Sequence, residues 1–81
     1  MTIKLSELVR IIIVEYIDNP ELLIVEEEDG ESTVLIRVNS SDKTDTGKII
    51  GKMGKNIDAL RRIINVVASK REVRVNLHIV S

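Results

Sequence analysis

The sequence contains no cysteine, tryptophan or phenylalanine, and Tyr16 is its only aromatic residue. Without cysteine, disulfide bonds, zinc sites that need cysteine and thiol chemistry are excluded. With one aromatic ring, the chain lacks a platform on which several nucleic-acid bases could stack. His78 is the only histidine, and no metal-ligand spacing is recognisable, so we expect neither a metal nor a cofactor.

Long apolar runs are also missing, as is a basic start followed by the apolar core of a signal peptide. These absences predict a soluble, cytoplasmic protein with no membrane segment. The 81 residues suit one small domain, residues 1–81, near the lower size at which a core stabilises itself. The hydrophobic content of 43% is sufficient, and the core has to be built from isoleucine, valine and leucine.

The net charge of −1 hides a strong asymmetry along the chain. Residues 1–36 carry two basic and nine acidic side chains, a balance of −7, whereas residues 37–81 carry ten basic and four acidic ones, a balance of +6. Such a division predicts one acidic face and one basic face.

The first 40 residues predict one helix and two strands. Apolar residues recur every three or four positions over 4–17, which favours a helix although the β-branched run 11–14 would also suit a strand. Leu22–Glu28 and Thr33–Asn39 flank Asp29-Gly30, a strong hairpin signal. We interpret the acidic cluster at the hairpin tip as a solvated turn, and a cation site is the less favoured alternative.

Ser41, Asp42 and Asp45 are candidate caps for a helix that ends near Ile50. Gly47 lies inside this helix, where glycine is unfavourable, and either a close approach by a ligand or backbone, or a purely structural cause, would explain it. A longer helix is predicted from about Lys55 to Ser69. Its apolar arc is wider than one core contact requires, which suggests a second buried contact.

Residues 73–80 alternate between apolar and polar side chains, which predicts a final strand with His78 exposed. The order is therefore helix, strand, strand, helix, helix, strand. The expected fold class is α+β, with three helices on one face of a three-stranded sheet. Because the first two strands form an antiparallel hairpin, the third has to run parallel to one of them, and the sheet is mixed.

Gly51-Lys52-Met53-Gly54 forms a Gly-x-x-Gly turn between two predicted helices. It is not a Walker loop, because Ile49 stands where the first glycine is needed and Asn56 where a hydroxyl is needed. A dinucleotide-binding fingerprint is likewise absent, and no nucleophile–base set or carboxylate pair can be assembled, so we expect no enzymatic activity. The turn could bind a sugar-phosphate chain through glycine backbone, lysines and helix amides, or it could be an ordinary helix connection.

The stretch Ile50-Gly51-Lys52-Met53-Gly54-Lys55-Asn56-Ile57, in this order of elements, resembles the KH domain family. The additional helix and strand before it resemble the prokaryotic, type II arrangement, and within it the small bacterial KH proteins. The resemblance covers nearly the whole chain. The stretch Ser40–Thr44 departs from the family by being longer than the usual approach to the first helix of the motif.

The resemblance implies that single-stranded RNA lies in a hydrophobic groove and that the loop clamps its backbone, as KH domains do. The residues carried over have three roles. The clamp is Gly51, Lys52, Met53 and Gly54; the groove is lined by Ile49 or Ile50, by Ile57 and by Val38; electrostatic support comes from Lys48, Lys55, Arg61 and Arg62.

The family also implies an RNA chaperone or regulator that self-associates, pairs with a larger KH protein and is linked to cell shape. RNA binding is the first hypothesis. A dimerisation or partner-docking module is the alternative, motivated by the wide apolar arc of the last helix, which includes Ile63 and Val66.

Overall fold

The computed structural model describes residues 2–80, so Met1 and Ser81 of the predicted domain range lie outside the described part. Within it, the elements follow the predicted order and confirm the α+β class. They are α1 (Leu5–Val14), β1 (Leu23–Asp29), β2 (Thr33–Ser40), α2 (Lys43–Ile50), α3 (Lys55–Lys70) and β3 (Arg74–Ile79), with single 3₁₀ turns at Pro20–Leu22 and Lys52–Gly54. No helix in this part of the chain is long and apolar enough to cross a membrane.

The β-branched run near the N terminus is helical, as predicted. Residues spaced four apart on α1 and just after it, namely Leu5, Val9, Ile13 and Ile17, are all buried. This regular stripe explains why the helix forms despite its β-branched residues, since most helical stability in proteins comes from packing an apolar face. The chain then turns at Asn19-Pro20 and enters the sheet.

The sheet is mixed, with strand order β1-β2-β3. β1 and β2 form the predicted antiparallel hairpin, whose turn is closed by the Gly30 N–H donating to the carbonyl oxygen of Thr33 at 2.8 Å. β3 runs parallel to β2, with Ile36 opposite Leu77. β1 and β3 are therefore the two open edges of the sheet.

The three helices cover one face of this sheet, and the other face is open. The core joins all the elements, and its fully buried apolar residues include Ile13, Ile36, Ile49 and Ile64. On the open face of β1 the side chains of Glu26 and Glu28 are exposed. Among residues 2–80 no group of acidic or histidine side chains is arranged to hold a metal ion.

α2 begins at Lys43 because Asp42 caps it. The Asp42 carboxylate accepts hydrogen bonds from the backbone amides of Thr44 at 2.9 Å and Asp45 at 3.2 Å, and from the side-chain amide of Asn19. The Asn19 bond, followed by the backbone bonds, lowers the pKa of Asp42 below its usual value. The longer stretch Ser40–Thr44 therefore still leads into a capped helix.

Asp45 is fully buried and is not the cap. Its two carboxylate oxygens accept hydrogen bonds from the backbone amides of Asp18 at 2.9 Å and Asn19 at 2.8 Å. These residues belong to the connection between α1 and β1, so Asp45 ties that connection to α2. A buried carboxylate is tolerated because both oxygens have donors.

We predict that Asp45→Asn lowers the free energy of unfolding by about 2–3 kcal/mol, because an amide retains one acceptor but directs its NH₂ group at a backbone N–H. Urea denaturation measures the effect. Glu31→Gln, the same carboxylate-to-amide change at an exposed residue of the β1–β2 turn, is the matched control and should stay within about 0.5 kcal/mol of the wild type. Equal stabilities for the two variants would show that the Asp45 hydrogen bonds do not stabilise the fold.

Candidate nucleic-acid interface

The Gly-x-x-Gly loop reverses the chain between α2 and α3 through three residues with positive φ. These are Gly51 (φ 78°, ψ 168°), Met53 (φ 57°, ψ 26°) and Gly54 (φ 76°, ψ 14°). Methionine in a left-handed conformation is uncommon and costs roughly 1–2 kcal/mol. The result is a tight turn whose tip, the Met53 side chain, is 87% exposed.

Neighbouring groups make glycine necessary at Gly51. A Cβ atom there would lie 2.5 Å from Cγ of Asn56, closer than such atoms approach each other. At Gly54 an added Cβ would meet only Asp58 Oδ2, at 4.0 Å, so the backbone angle alone favours glycine. At Gly47 an added Cβ meets nothing within 4 Å, so approach by another part of the described chain does not explain that glycine.

Three of the predicted cations are exposed and free of ion pairs among residues 2–80: Lys52 in the loop, Lys55 directly after it and Arg62 two turns along α3. In addition, no side chain caps the N terminus of α3, which starts at the loop. The backbone amides and positive end of the helix dipole therefore add to the charge of the lysines. Together they form an anion-attracting surface around the loop.

Lys48 and Arg61, the other two predicted cations, already have partners. Lys48 Nζ lies 2.6 Å from the Asp18 carboxylate, and this hydrogen bond raises the pKa of Lys48. Arg61 donates through Nε to the carbonyl oxygen of Leu77 at 3.1 Å and lies 3.4 Å from the Asp58 carboxylate. An incoming phosphate has to compete with these groups for both cations.

The apolar residues predicted to line a groove lie mainly in the core. Ile49 is 1% exposed, Ile57 5% and Val38 0%, because all three belong to the main hydrophobic cluster. Only Ile50 of the predicted apolar set is half-buried. In this structure the three side chains are part of the core and leave almost no surface that a ligand could touch.

A groove of about 470 Å³ runs between α3 and the open edge of β3. Its walls combine apolar, amide and cationic side chains. They are Leu35, Arg37, Arg61, Ile64, Asn65, Val75, Asn76, Leu77 and His78. Asp58, Arg61 and Asn65 follow one another at three- and four-residue steps, so one side of α3 leads from the loop into this groove.

The backbone of β3 also faces this groove. The N–H groups of Arg74 and Val80 donate toward β2, to the carbonyl oxygens of Ser32 and Val38, both at 2.9 Å. Because successive residues of a strand direct their backbone groups to opposite sides, the groups of Val75, Leu77 and Ile79 point to the open edge. The bond from Arg61 to Leu77 is consistent with this alternation.

Sequence reasoning did not select Asn65 and Asn76 as site residues, although the groove brings them together. Part of the signal was present: β3 alternates with Asn76 on its polar side, and Asn65 lies four residues after Arg61. The missing information was that β3 lies at the edge of the sheet and faces α3.

We predict that Gly51→Ala destabilises the protein more than Gly54→Ala does. The Gly51 backbone lies in a region essentially restricted to glycine and its Cβ would clash with Asn56, whereas Gly54 has only the left-handed cost of about 1–2 kcal/mol. Gly47→Ala is the helix control and should stabilise by about 1 kcal/mol. Thermal unfolding ranks the three variants, and equal losses at Gly51 and Gly54 would contradict the packing against Asn56.

Comparison with known proteins gives one consistent family. A family model described as the KH domain of KhpA/KhpB matches residues 6–79. The RNA-binding protein KhpA of Chlamydia pneumoniae is 39% identical over 75 residues, which cover 93% of this chain and 95% of the relative. KhpA proteins of Caldanaerobacter subterraneus and Listeria monocytogenes are 33% and 29% identical, each over 76 residues that cover 94% of this chain and 100% and 99% of the relative. With this fold and this loop between α2 and α3, the chain belongs to the KhpA/KhpB family of KH domains.

Proposed function

We propose that the protein binds single-stranded RNA, with the loop Gly51–Gly54 holding the sugar-phosphate backbone and the groove beside β3 accepting bases. The observation that carries this proposal is the loop itself, a glycine-bounded turn with exposed Lys52, Met53 and Lys55 at the uncapped start of α3. The relatives named above support it, since they are called RNA-binding proteins.

The groove offers chemistry that suits bases better than phosphates. Asn65 and Asn76 carry both donors and acceptors, and the open backbone edge of β3 adds more, while the half-buried Val75 supplies apolar surface. The lysines at the loop lie where a phosphate would meet them. In this arrangement the backbone contacts determine position and the groove contacts the bases, as in nucleic-acid recognition generally.

Affinity for RNA should be modest and should depend on salt. Tyr16 is half-buried on α1, so stacking on an aromatic side chain contributes little. A KH domain grips about four nucleotides, which limits the contact area. We therefore propose a sequence-tolerant RNA chaperone or post-transcriptional regulator acting in the cytoplasm, and not an enzyme.

We predict that Lys52→Asp combined with Met53→Asp abolishes binding to short single-stranded RNA while thermal stability changes little. Both side chains are exposed, and aspartate tolerates the left-handed backbone at Met53. A gel-shift titration at several salt concentrations measures the effect. For the wild type, log K should fall with log salt by roughly 0.7 per neutralised phosphate.

Thr2→Asp with Lys4→Asp is the matched control, because it changes the charge equally at two exposed residues. These lie near the far end of α3, where Arg71 donates to the Ile3 carbonyl oxygen at 2.8 Å. α3 has 16 residues and so separates them from the loop by about 24 Å. If the loop variant keeps its RNA affinity, or if the control loses as much affinity, the loop does not hold the RNA backbone.

The second candidate function is self-association through the side of α3 that faces α1. An apolar cleft of about 430 Å³ lies there, lined by Ile12, Tyr16, Asn56, Ala59, Leu60 and Ile63. Beside it, Ile63 is 56% and Val66 68% exposed. A further apolar residue, Ile11, is 53% exposed on α1. This clustering of exposed apolar side chains is typical of an interaction surface.

A second copy of the chain is the occupant that we propose for this surface. In a two-fold arrangement α1 of one copy would meet α3 of the other, and each contact would be made twice. Glu15 on α1 and Arg62 on α3 are both exposed, so the charges on the two helices are complementary. The same apolar surface would suit the KH domain of a larger, KhpB-like protein, which the test below includes.

We predict that Ile63→Asp converts a self-associating protein to a monomer, because a carboxylate would lose its hydration in the interface. Sedimentation at tens of micromolar measures the molecular mass. Asn65→Asp, with the same charge change on the other side of α3, should leave association intact. A wild-type chain that remains monomeric both alone and with a KhpB-like protein would reject this function.

A further inference from the structure

Asn56 is the second residue of α3, and its side chain reaches across the loop to α2. Its Nδ2 atom donates a hydrogen bond of 2.8 Å to the carbonyl oxygen of Lys48 in the last turn of that helix. The last carbonyl groups of a helix have no partner within the helix and need one from elsewhere. Asn56 supplies a partner, although neither its spacing nor its type marked it as a site residue in the sequence.

The same side chain packs against the backbone of Gly51. A Cβ atom at Gly51 would lie 2.5 Å from Cγ of Asn56, 2.7 Å from Nδ2 and 2.8 Å from Cβ. Asn56 therefore occupies the space beside the first glycine of the loop. One side chain thus fixes both the end of α2 and the residue at which the chain leaves it.

Side-chain hydrogen bonds that restrain the loop are otherwise scarce among residues 2–80. The loop's backbone N–H groups donate at Gly51 to the carbonyl oxygen of Gly47 at 2.8 Å and at Gly54 to that of Gly51 at 3.0 Å. The N–H of Lys55 donates to the carbonyl oxygen of Lys52. Among residues 2–80, the bond from Asn56 to Lys48 is the only side-chain hydrogen bond that joins α2 to α3. Since glycine has wide backbone freedom, a loop with two glycines needs such a restraint to keep one conformation.

We propose that Asn56 is a positioning residue, which holds the Gly51–Gly54 loop in its binding conformation without contacting RNA itself. This inference rests on the proposed RNA-binding function. The restraint would lower the conformational entropy that the loop loses on binding, because the loop is ordered in advance. Lys52 and the amides at the start of α3 would then face a phosphate without rearrangement.

Asn56→Leu tests this role, because leucine keeps the branched shape but has no hydrogen-bond donor. Since Asn56 also lines the apolar cleft, the variant and the wild type are compared at a concentration at which both sediment as monomers. Amide hydrogen exchange without RNA should become faster at Gly51–Lys55 and stay unchanged in β2. Affinity for short single-stranded RNA should fall roughly 3- to 10-fold, the range that one hydrogen bond supplies. The slope of log K against log salt should match the wild type, because no phosphate contact is removed.

Two further variants make the result specific. Asn39→Leu introduces the same change at an exposed position of β2 and should alter neither exchange in the loop nor affinity. Lys52→Ala should lower the salt slope, since it removes a phosphate contact. A salt slope that Asn56→Leu lowers as much as Lys52→Ala does would show direct contact with RNA and overturn the positioning role.

Amide hydrogen exchange in the loop tests the positioning role, and the RNA affinity of the wild type tests the proposed function, so the two can fail separately. Unchanged exchange at Gly51–Lys55 in Asn56→Leu would reject the positioning role even if the wild type binds RNA. Faster exchange together with a wild-type chain that binds no RNA would reject the proposed function, while the restraint on the loop would stand. Faster exchange with affinity within twofold of the wild type would show that loop order does not determine binding.

Discussion

Close packing of four isoleucines holds the elements of this fold together. Ile13 of α1, Ile36 of β2, Ile49 of α2 and Ile64 of α3 are each at most 1% exposed. Because protein interiors are packed as densely as organic crystals, none of these elements can shift without opening a cavity. Ile49 is two residues before Gly51, so the loop starts close to a residue whose position is fixed by the core. The position of the loop at the surface is thus a consequence of core packing.

α3 determines how the surface of the molecule is divided. One side of this helix enters the core, a second side leads from Asp58 to Asn65 along the open edge of β3, and a third carries Ile63 and Val66 toward α1. The wide apolar arc of this helix therefore comes from two adjacent surfaces and not from one large core contact. The proposed RNA groove and the proposed dimer surface lie on different sides of α3, and they approach each other at its start, where Asn56 lines the apolar cleft.

Periodicity and turn residues were sufficient to predict every strand and α-helix of the described part, because each has a regular apolar pattern or a strong cap. The details of the site depended on contacts between distant residues. In the sequence Asp45 resembles a helix cap. In the fold its buried carboxylate accepts hydrogen bonds from the backbone amides of Asp18 and Asn19, which are distant in the sequence. The apolar patterns that include Val38 and Ile57 are compatible with either lining a groove or lying in the core. Their burial depends on how three helices cover the sheet, which local sequence does not express.

Self-association would raise the apparent affinity for RNA, even if each single site binds weakly. One loop and one short groove would contact few nucleotides, but two linked sites would raise avidity because the second binding event becomes intramolecular. The charges are also separated: the exposed Glu26 and Glu28 lie on β1 at one edge of the sheet, and the exposed Lys52 and Lys55 lie at the loop between α2 and α3. Such a field repels a polyanion from one side and attracts it to the other. If both loops of a dimer formed through α1 and α3 reach one RNA chain, each weak site gains from its partner.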